Sequence, residues 1–250
     1  GLTGERRCVG WWDRALRVRQ SCQSDLPATK PQCIECSRRE GFWRCMTCDG
    51  FACPPLSPEI HSYCRSEHIL YLANFGTERV KIGTSVASRG TSRIVEQGPV
   101  TAIQIARAPG PIIKQMESYG VQFGLAETMS RSQKWKAWRQ CTDPEMSLRW
   151  LTDALEMYAS RLPEHYSPHL HAPSPVTYTD SVASTDLLAR ASLLTMQAGT
   201  VIRGTVEKAR GHILVLNDGA GYVALDMAAL KGHLVDFSPS GGTAQVRQLG

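Results

Sequence analysis

The sequence predicts an α+β protein built of successive parts, and three observations carry that expectation. Eight of the nine cysteines fall within residues 8–64. Strand-like and helix-like segments then alternate to about residue 160, and short apolar runs separated by turn residues fill the chain from 198 onward. The expected division is a cysteine-rich module over 1–66 and a central α/β domain over 67–160, ordered hairpin, helix, strand, helices. A proline-rich linker with a short helix follows over 161–197, then a small all-β domain over 198–250, a barrel or curled sheet.

The 250 residues are 42% hydrophobic and 20% charged, enough for two or three small cores. No apolar run approaches the roughly 18 residues of a membrane span, and Gly1-Leu2-Thr3-Gly4-Glu5-Arg6-Arg7 lacks the apolar centre of a signal peptide. A cytoplasmic location without membrane association is the expectation; no feature specifies an oligomeric state. Net charge is +5. Between Arg6 and Arg44 nine cations face four acids, Asp13, Asp25, Glu35 and Glu40. A basic leading face suits contact with a polyanion such as nucleic acid.

The leading cysteines are Cys8, Cys22, Cys33, Cys36, Cys45, Cys48, Cys53 and Cys64. A segment this short and polar buries little apolar surface, so cross-links or metal must offset the chain entropy lost on ordering. In a reducing compartment the same crowding points to metal. Cys33-Ile34-Glu35-Cys36 and Cys45-Met46-Thr47-Cys48 carry the two-residue spacing that lets one knuckle present two thiolates to a tetrahedral ion. These four make the simplest single site. Cys8, Cys22, Cys53 and Cys64 make a second complete set, so eight thiols divide into two zinc sites; spacing does not decide which cysteines share an ion. His61 and His68 flank Cys64 as alternative ligands. An all-thiolate shell leaves no open position for water, so the expected role of zinc is structural.

In the central region, residues 68–75 and 79–84 read as strands joined by a turn at Gly76-Thr77-Glu78. A helix is expected over 85–97, stopped by Gly98-Pro99, and a third strand over 100–107. Two helices follow over about 111–124 and 130–141. A final helix begins with Asp143 as N-cap and Pro144 in its first turn, with Leu148, Leu151, Leu155 and Tyr158 as its buried stripe.

Leu70-Tyr71 on the first strand, Lys81-Ile82-Gly83 on the second, then Arg93 and Glu117 on the next two helices, give the central domain an order that resembles the GIY-YIG nuclease domain. The resemblance implies catalytic positions at Tyr71, Lys81, Arg93 and Glu117: tyrosine and arginine serving the nucleophile and the phosphate, and glutamate holding Mg2+ or Mn2+ if the domain cleaves phosphodiesters. The sequence departs from that pattern. Ile69-Leu70-Tyr71 replaces Gly-Ile-Tyr, and Lys81 stands where a tyrosine is usual. Lysine neutralises a phosphate oxygen but is no phenol. In place of the family's late asparagine, Lys134, Trp135 and Lys136 form a basic, aromatic stretch suited to nucleic-acid contact. Each position also has an ordinary reading: Tyr71 as a half-buried strand tyrosine, Glu117 as a solvated carboxylate, Arg93 as a partner of Glu96 or Gln97. A non-nuclease that keeps the scaffold for an RNA-borne or small ligand, and a zinc-stabilised interaction module without a catalytic site, are the competing functions.

Over nearly the whole chain, the cysteine-rich entry, Leu70-Tyr71-Leu72, Lys81-Ile82-Gly83-Thr84, Arg93-Ile94-Val95-Glu96-Gln97-Gly98, Glu117 and Gly211-His212-Ile213-Leu214-Val215-Leu216 resemble domain-of-unknown-function family 2797 of bacteria and archaea. That resemblance implies an architecture and no reaction. In the linker, His165, His169 and His171 invite a metal reading, which is discounted because proline holds the segment extended. Beyond it, strands are expected over 200–206, 212–216, 222–225 and 233–237, with Asn217-Asp218-Gly219 as a hairpin turn and 240–250 as a loose tail.

Overall fold

The computed structural model describes residues 2–3, 5–13, 16, 18–24, 26–45, 48–53, 56–141, 143–176, 185–197, 199–237 and 245–248. In chain order the elements are strands β1 (Leu2–Thr3), β2 (Trp11–Asp13) and β3 (Val18–Gln20), helices α1 (Ile34–Glu40) and α2 (Pro58–Arg65), and strands β4 (Glu67–Asn74) and β5 (Val80–Val86). The one-turn helix α3 (Ser92–Val95), strand β6 (Thr101–Pro109) and helices α4 (Gly110–Gln122), α5 (Arg131–Gln140) and α6 (Pro144–Arg161) follow. The chain closes with β7 (Leu170–Pro175), α7 (Thr185–Arg190), β8 (Ser192–Leu194), β9 (Thr205–Arg210), β10 (Ile213–Asn217), β11 (Tyr222–Asp226), β12 (Leu234–Phe237) and β13 (Gln245–Gln248). The fold is α+β, and no helix among the described residues is long and apolar enough to cross a membrane.

Contacts gather the chain into two compact units, one of Gly1–Met46, Leu56–Ile60 and Ala191–Gly250, the other of Thr47–Pro55 and His61–Arg190. In the first, β1 pairs antiparallel with β12, Leu2 opposite Val235, so the two ends of the chain share one sheet, ordered β1-β12-β13. A second sheet, ordered β8-β11-β10-β9, is open among the described residues: a curled sheet and not a closed barrel. Its β10–β11 hairpin turns at Asn217-Asp218-Gly219, where Gly219 has φ 89°. Two expectations are corrected here. The first strand forms at Thr205–Arg210 instead of 200–206, where it pairs with β10. Gln245–Gln248, expected in a loose tail, is a strand paired with β12; the rest of that tail, 240–244 and 249–250, lies outside the described residues.

The second unit is organised by an antiparallel sheet ordered β5-β4-β6-β7. Central β4 is buried along nearly its whole length. Side chains alternate across a strand, so Leu70 and Leu72 face one side and Ile69, Tyr71 and Ala73 the other. The Leu70/Leu72 face joins Ile82, Ile105, Ile113, Met116, Leu151 and Tyr158 in one apolar core beneath α4 and α6. Helix α4 comes close to the sheet because Gly120 has no Cβ; one built there would lie 2.5 Å from Ile82 Cδ1. As expected, Asp143 caps α6, accepting from the N–H groups of Glu145 and Met146, and Pro144 opens the helix. Leu148, expected in the buried stripe, is 52% exposed, while Leu151 and Tyr158 carry the packing.

The helix expected over 85–97 is also corrected. Strand β5 continues to Val86 because its pairing with β4 extends to His68. A single 3-10 turn, Ala87–Arg89, then ends at Gly90 (φ 52°), and only Ser92–Val95 is α-helical. In the expected linker, the described portion forms a 3-10 helix at Glu164–His169 and the edge strand β7 paired with β6. Edge strands tolerate proline because one rail of backbone groups is unpaired. Residues 177–184 of that segment lie outside the described residues.

Candidate functional site

Two constellations stand out, one in each unit. In the first, Cys8, Cys22, Cys33 and Cys36 place their sulfurs within 4.8 Å of one another. Local structure explains the approach. Cys33 is the N-cap of α1, so its Sγ accepts from the Cys36 N–H at 3.4 Å while Cys36 sits on the first turn. The Cys8 sulfur accepts from the N–H groups of Gly10 (3.4 Å) and Cys33 (3.1 Å), and the Cys22 sulfur from Ser24 (3.4 Å). Gly10 (φ 77°) is needed for this knuckle: a Cβ there would lie 1.8 Å from the Gln20 carbonyl oxygen. The Cys36 N–H holds the Cys33 thiol down to about 7, whereas burial pushes the Cys36 thiol up.

The donor chemistry fits a tetrahedral ion. A Zn–S bond of about 2.3 Å implies sulfur–sulfur edges of about 3.8 Å, and Cys22 and Cys33 stand 3.9 Å apart. Backbone N–H groups aimed at the sulfurs stabilise thiolates and orient them. The four can therefore hold a zinc ion. None of the nine cysteines is in a disulfide. Of the groupings the spacing left open, Cys33 and Cys36 gather with Cys8 and Cys22 and not with Cys45 and Cys48. Cys45 ends the 3-10 helix Phe42–Cys45, Cys48 is half-buried, Cys53 is exposed and Cys64 is half-buried on α2. No second group of three or more close ligands occurs among the described residues.

The second constellation centres on Tyr71, which points to the face of the central sheet opposite Leu70 and Leu72. Tyr71 lies directly across from Gly83 in the β4–β5 ladder, and a Cβ at Gly83 would sit 2.6 Å from the Tyr71 hydroxyl oxygen. The absent side chain makes room for the phenol. Gln97 donates its amide N–H to that oxygen, and the Gln97 backbone carbonyl and Oε1 face Lys134 Nζ at 3.2 and 3.5 Å. Lys81 donates to the Ile82 and Glu127 carbonyls. Glu117 projects from α4, is 6% exposed, and forms an ion pair with Lys114 one turn earlier. Arg93 is half-exposed and 3.8 Å from Glu96, as its ordinary reading expected.

Charge links these residues. Burial pushes the Tyr71 phenol up to about 12, against the pull of the Arg93 charge and the Gln97 hydrogen bond. Burial lowers Lys81, with Arg93 and Lys114 adding to the effect and Glu117 and Glu127 opposing it. Lys134 is lowered to about 8, first by burial and then by Lys81 and Arg93. The positions Tyr71, Lys81, Arg93 and Glu117 thus act on one another, and Lys134 joins them. Trp135 and Lys136 do not. Trp135 is 8% exposed, with Arg139 5.7 Å from its ring, so it offers no open face for a base; Lys136 points to solvent. Gln97 and Lys114 were given no role by the sequence; only the position of Gln97 in the Arg93–Gly98 string marked it.

No curated protein and no solved structure matches the chain. A family model does, over residues 57–235, a span that begins beyond Cys8, Cys22, Cys33 and Cys36. Covering more than half of the sequence, that match places the chain in the family described as Protein of unknown function (DUF2797).

Proposed function

We propose that the protein binds nucleic acid, holding a backbone phosphate at Lys81, Arg93 and Lys134 on a GIY-YIG-like central domain, with zinc ordering the leading module. One observation carries the reading: the cluster around Tyr71 holds more positive than negative charge, and two of its cations, Lys81 and Lys134, are buried. Lys81, Lys114, Lys134, Arg89 and Arg93 face Glu96, Glu117 and Glu127, five cations against three carboxylates. Lys81 and Lys134 are 8% and 7% exposed, yet their ammonium groups meet carbonyl oxygens and, for Lys134, the Phe75 ring at 4.6 Å, with no carboxylate in ion-pair contact among the described residues. Buried charge without a direct ion pair is costly, and an anion at this point relieves it. A phosphate supplies that charge together with several acceptor oxygens.

At the metal centre, Cys8, Cys22, Cys33 and Cys36 hold one zinc ion. Zinc supplies folding free energy to a module with little core of its own.

Hydrolysis is the second reading. There Glu117 holds Mg2+ or Mn2+, which stabilises charge on the phosphoryl oxygens. The Lys114–Glu117 ion pair favours binding over cleavage, because the carboxylate already has its cation. The test is binding of a labelled oligonucleotide across a salt series, followed by incubation with Mg2+ or Mn2+. Affinity that falls steeply with salt, and falls further in Lys81→Met and Lys134→Met, supports the phosphate site. Salt-insensitive or absent binding removes it. Cleavage that Glu117→Gln abolishes establishes the second reading.

A further inference from the structure

We propose that Gln97 is a positioning residue that turns the Tyr71 hydroxyl into a hydrogen-bond donor for a phosphate oxygen. The inference rests on the anion-binding reading and adds two neutral residues to it. An amide side chain presents either its oxygen or its N–H to a neighbour. At Gln97 that choice is made by Lys134, whose ammonium can only donate: Oε1 faces Lys134 Nζ, so the N–H group is left for Tyr71. The phenol oxygen is consequently an acceptor towards Gln97, and its own proton must point elsewhere.

Among the described residues that proton has no acceptor; the hydrogen bond from Gln97 is the one the Tyr71 hydroxyl makes. Tyr71 is 2% exposed, so bulk water does not readily meet the need. A buried donor without an acceptor is destabilising. The Arg93 and Arg89 charges act on the Tyr71 hydroxyl, opposed by Glu117, and the Lys134 ammonium adjoins it through Gln97, so the acceptor the hydroxyl awaits is anionic. The phenol is also held protonated, which keeps it a donor at neutral pH. Gly83 completes the arrangement by leaving the hydroxyl uncrowded. An ionised phosphate oxygen, which only accepts, fits; a group that must donate at the same point meets the phenol proton head-on.

The experiment is a double-mutant cycle on the full chain, read by fluorescence anisotropy of a labelled single-stranded oligonucleotide at fixed salt. The variants are Tyr71→Phe, Gln97→Met and the pair, with Lys81→Met alongside and melting curves confirming the fold. A hydrogen bond to a charged acceptor implies a loss of roughly tenfold to hundredfold for Tyr71→Phe. Gln97→Met should weaken binding in the wild type and have little further effect once Tyr71 is phenylalanine. A spectroscopic readout separates positioning from packing: in protein isotope-enriched at tyrosine Cζ, oligonucleotide should shift the Tyr71 signal, and Gln97→Met should abolish that shift. If Tyr71→Phe binds like wild type while Lys81→Met is weakened, the inference falls and the phosphate site stands. Additive losses from Gln97→Met and Tyr71→Phe also overturn it. If Lys81→Met binds like wild type, the phosphate site itself fails and takes the inference with it.

Discussion

The thiol cluster and the central sheet solve opposite problems. Around Cys8, Cys22, Cys33 and Cys36 the described residues form a two-stranded hairpin and a seven-residue helix, and few of their apolar side chains are buried. Order there depends on whatever holds four sulfurs together. The central unit has the reverse character: one continuous apolar core around Leu70, Leu72, Ile82, Ile113 and Met116. Its stability supports polar groups that no isolated helix or hairpin would bury, Lys81, Glu117 and Lys134 among them. One region uses polar ligands to make structure, and the other uses structure to carry polar groups.

The sharpest way to break that contrast is to remove the metal. Chelation, or Cys36→Ser, should release the residues around Cys8–Cys36 from their order while leaving the central core folded. Structural zinc contributes about 10–16 kcal/mol of apparent free energy in small zinc-dependent folds. Hydrogen exchange with and without chelator, beside zinc stoichiometry, checks this; unchanged protection over 8–40 would show that the region orders itself. The complementary change is Leu70→Ala in the core, where the side chain is fully buried. It should cost about 2–5 kcal/mol by denaturant unfolding and leave zinc content unaltered.

Smaller effects probe the buried charges. Lys134 has its pKa lowered from 10.5 to about 8, so between those values the folded protein binds fewer protons than the unfolded chain. Its contribution to stability therefore rises with pH across that window. Lys134→Met should flatten that part of the pH–stability profile, and in the wild type oligonucleotide affinity should decline as pH rises through about 8. A profile identical in wild type and variant would mean that Lys134 titrates as an ordinary surface lysine. The smallest effect is expected at Asp143, which caps α6 through two N–H groups. Asp143→Ala should lower stability by about 1 kcal/mol with no change in zinc content or binding.

What was legible in the sequence follows from the range of each interaction. The Asp143-Pro144 start of α6 was readable because a cap acts within three residues, and the pairing of residues 68–75 with 79–84 because only a turn separates them. The helix expected over 85–97 was misjudged because β4 pairing draws β5 on to Val86, and a ladder partner outweighs local propensity. The sulfur grouping was left open by the sequence for a related reason. Cys33 and Cys36 are presented by the first turn of α1, but Cys8 and Cys22 reach them from 25 and 11 residues away along the chain. The contacts of Gln97 with Tyr71 and Lys134, at separations of 26 and 37 residues, could not be read locally; only its place in the Arg93–Gly98 string marked it.

By itself the sequence determined the residue types: thiols crowded into a leading segment, a strand-rich centre with tyrosine and lysine on neighbouring strands, and short β-runs at the end. Only the tertiary structure decided which of them meet. It gathered Cys8 with Cys36, brought β1 to β12 from opposite ends of the chain, and set Lys134 against Gln97. The reason is that composition and spacing act over one or two turns of chain, whereas long-range partners are chosen by the burial and hydrogen bonding of the whole fold.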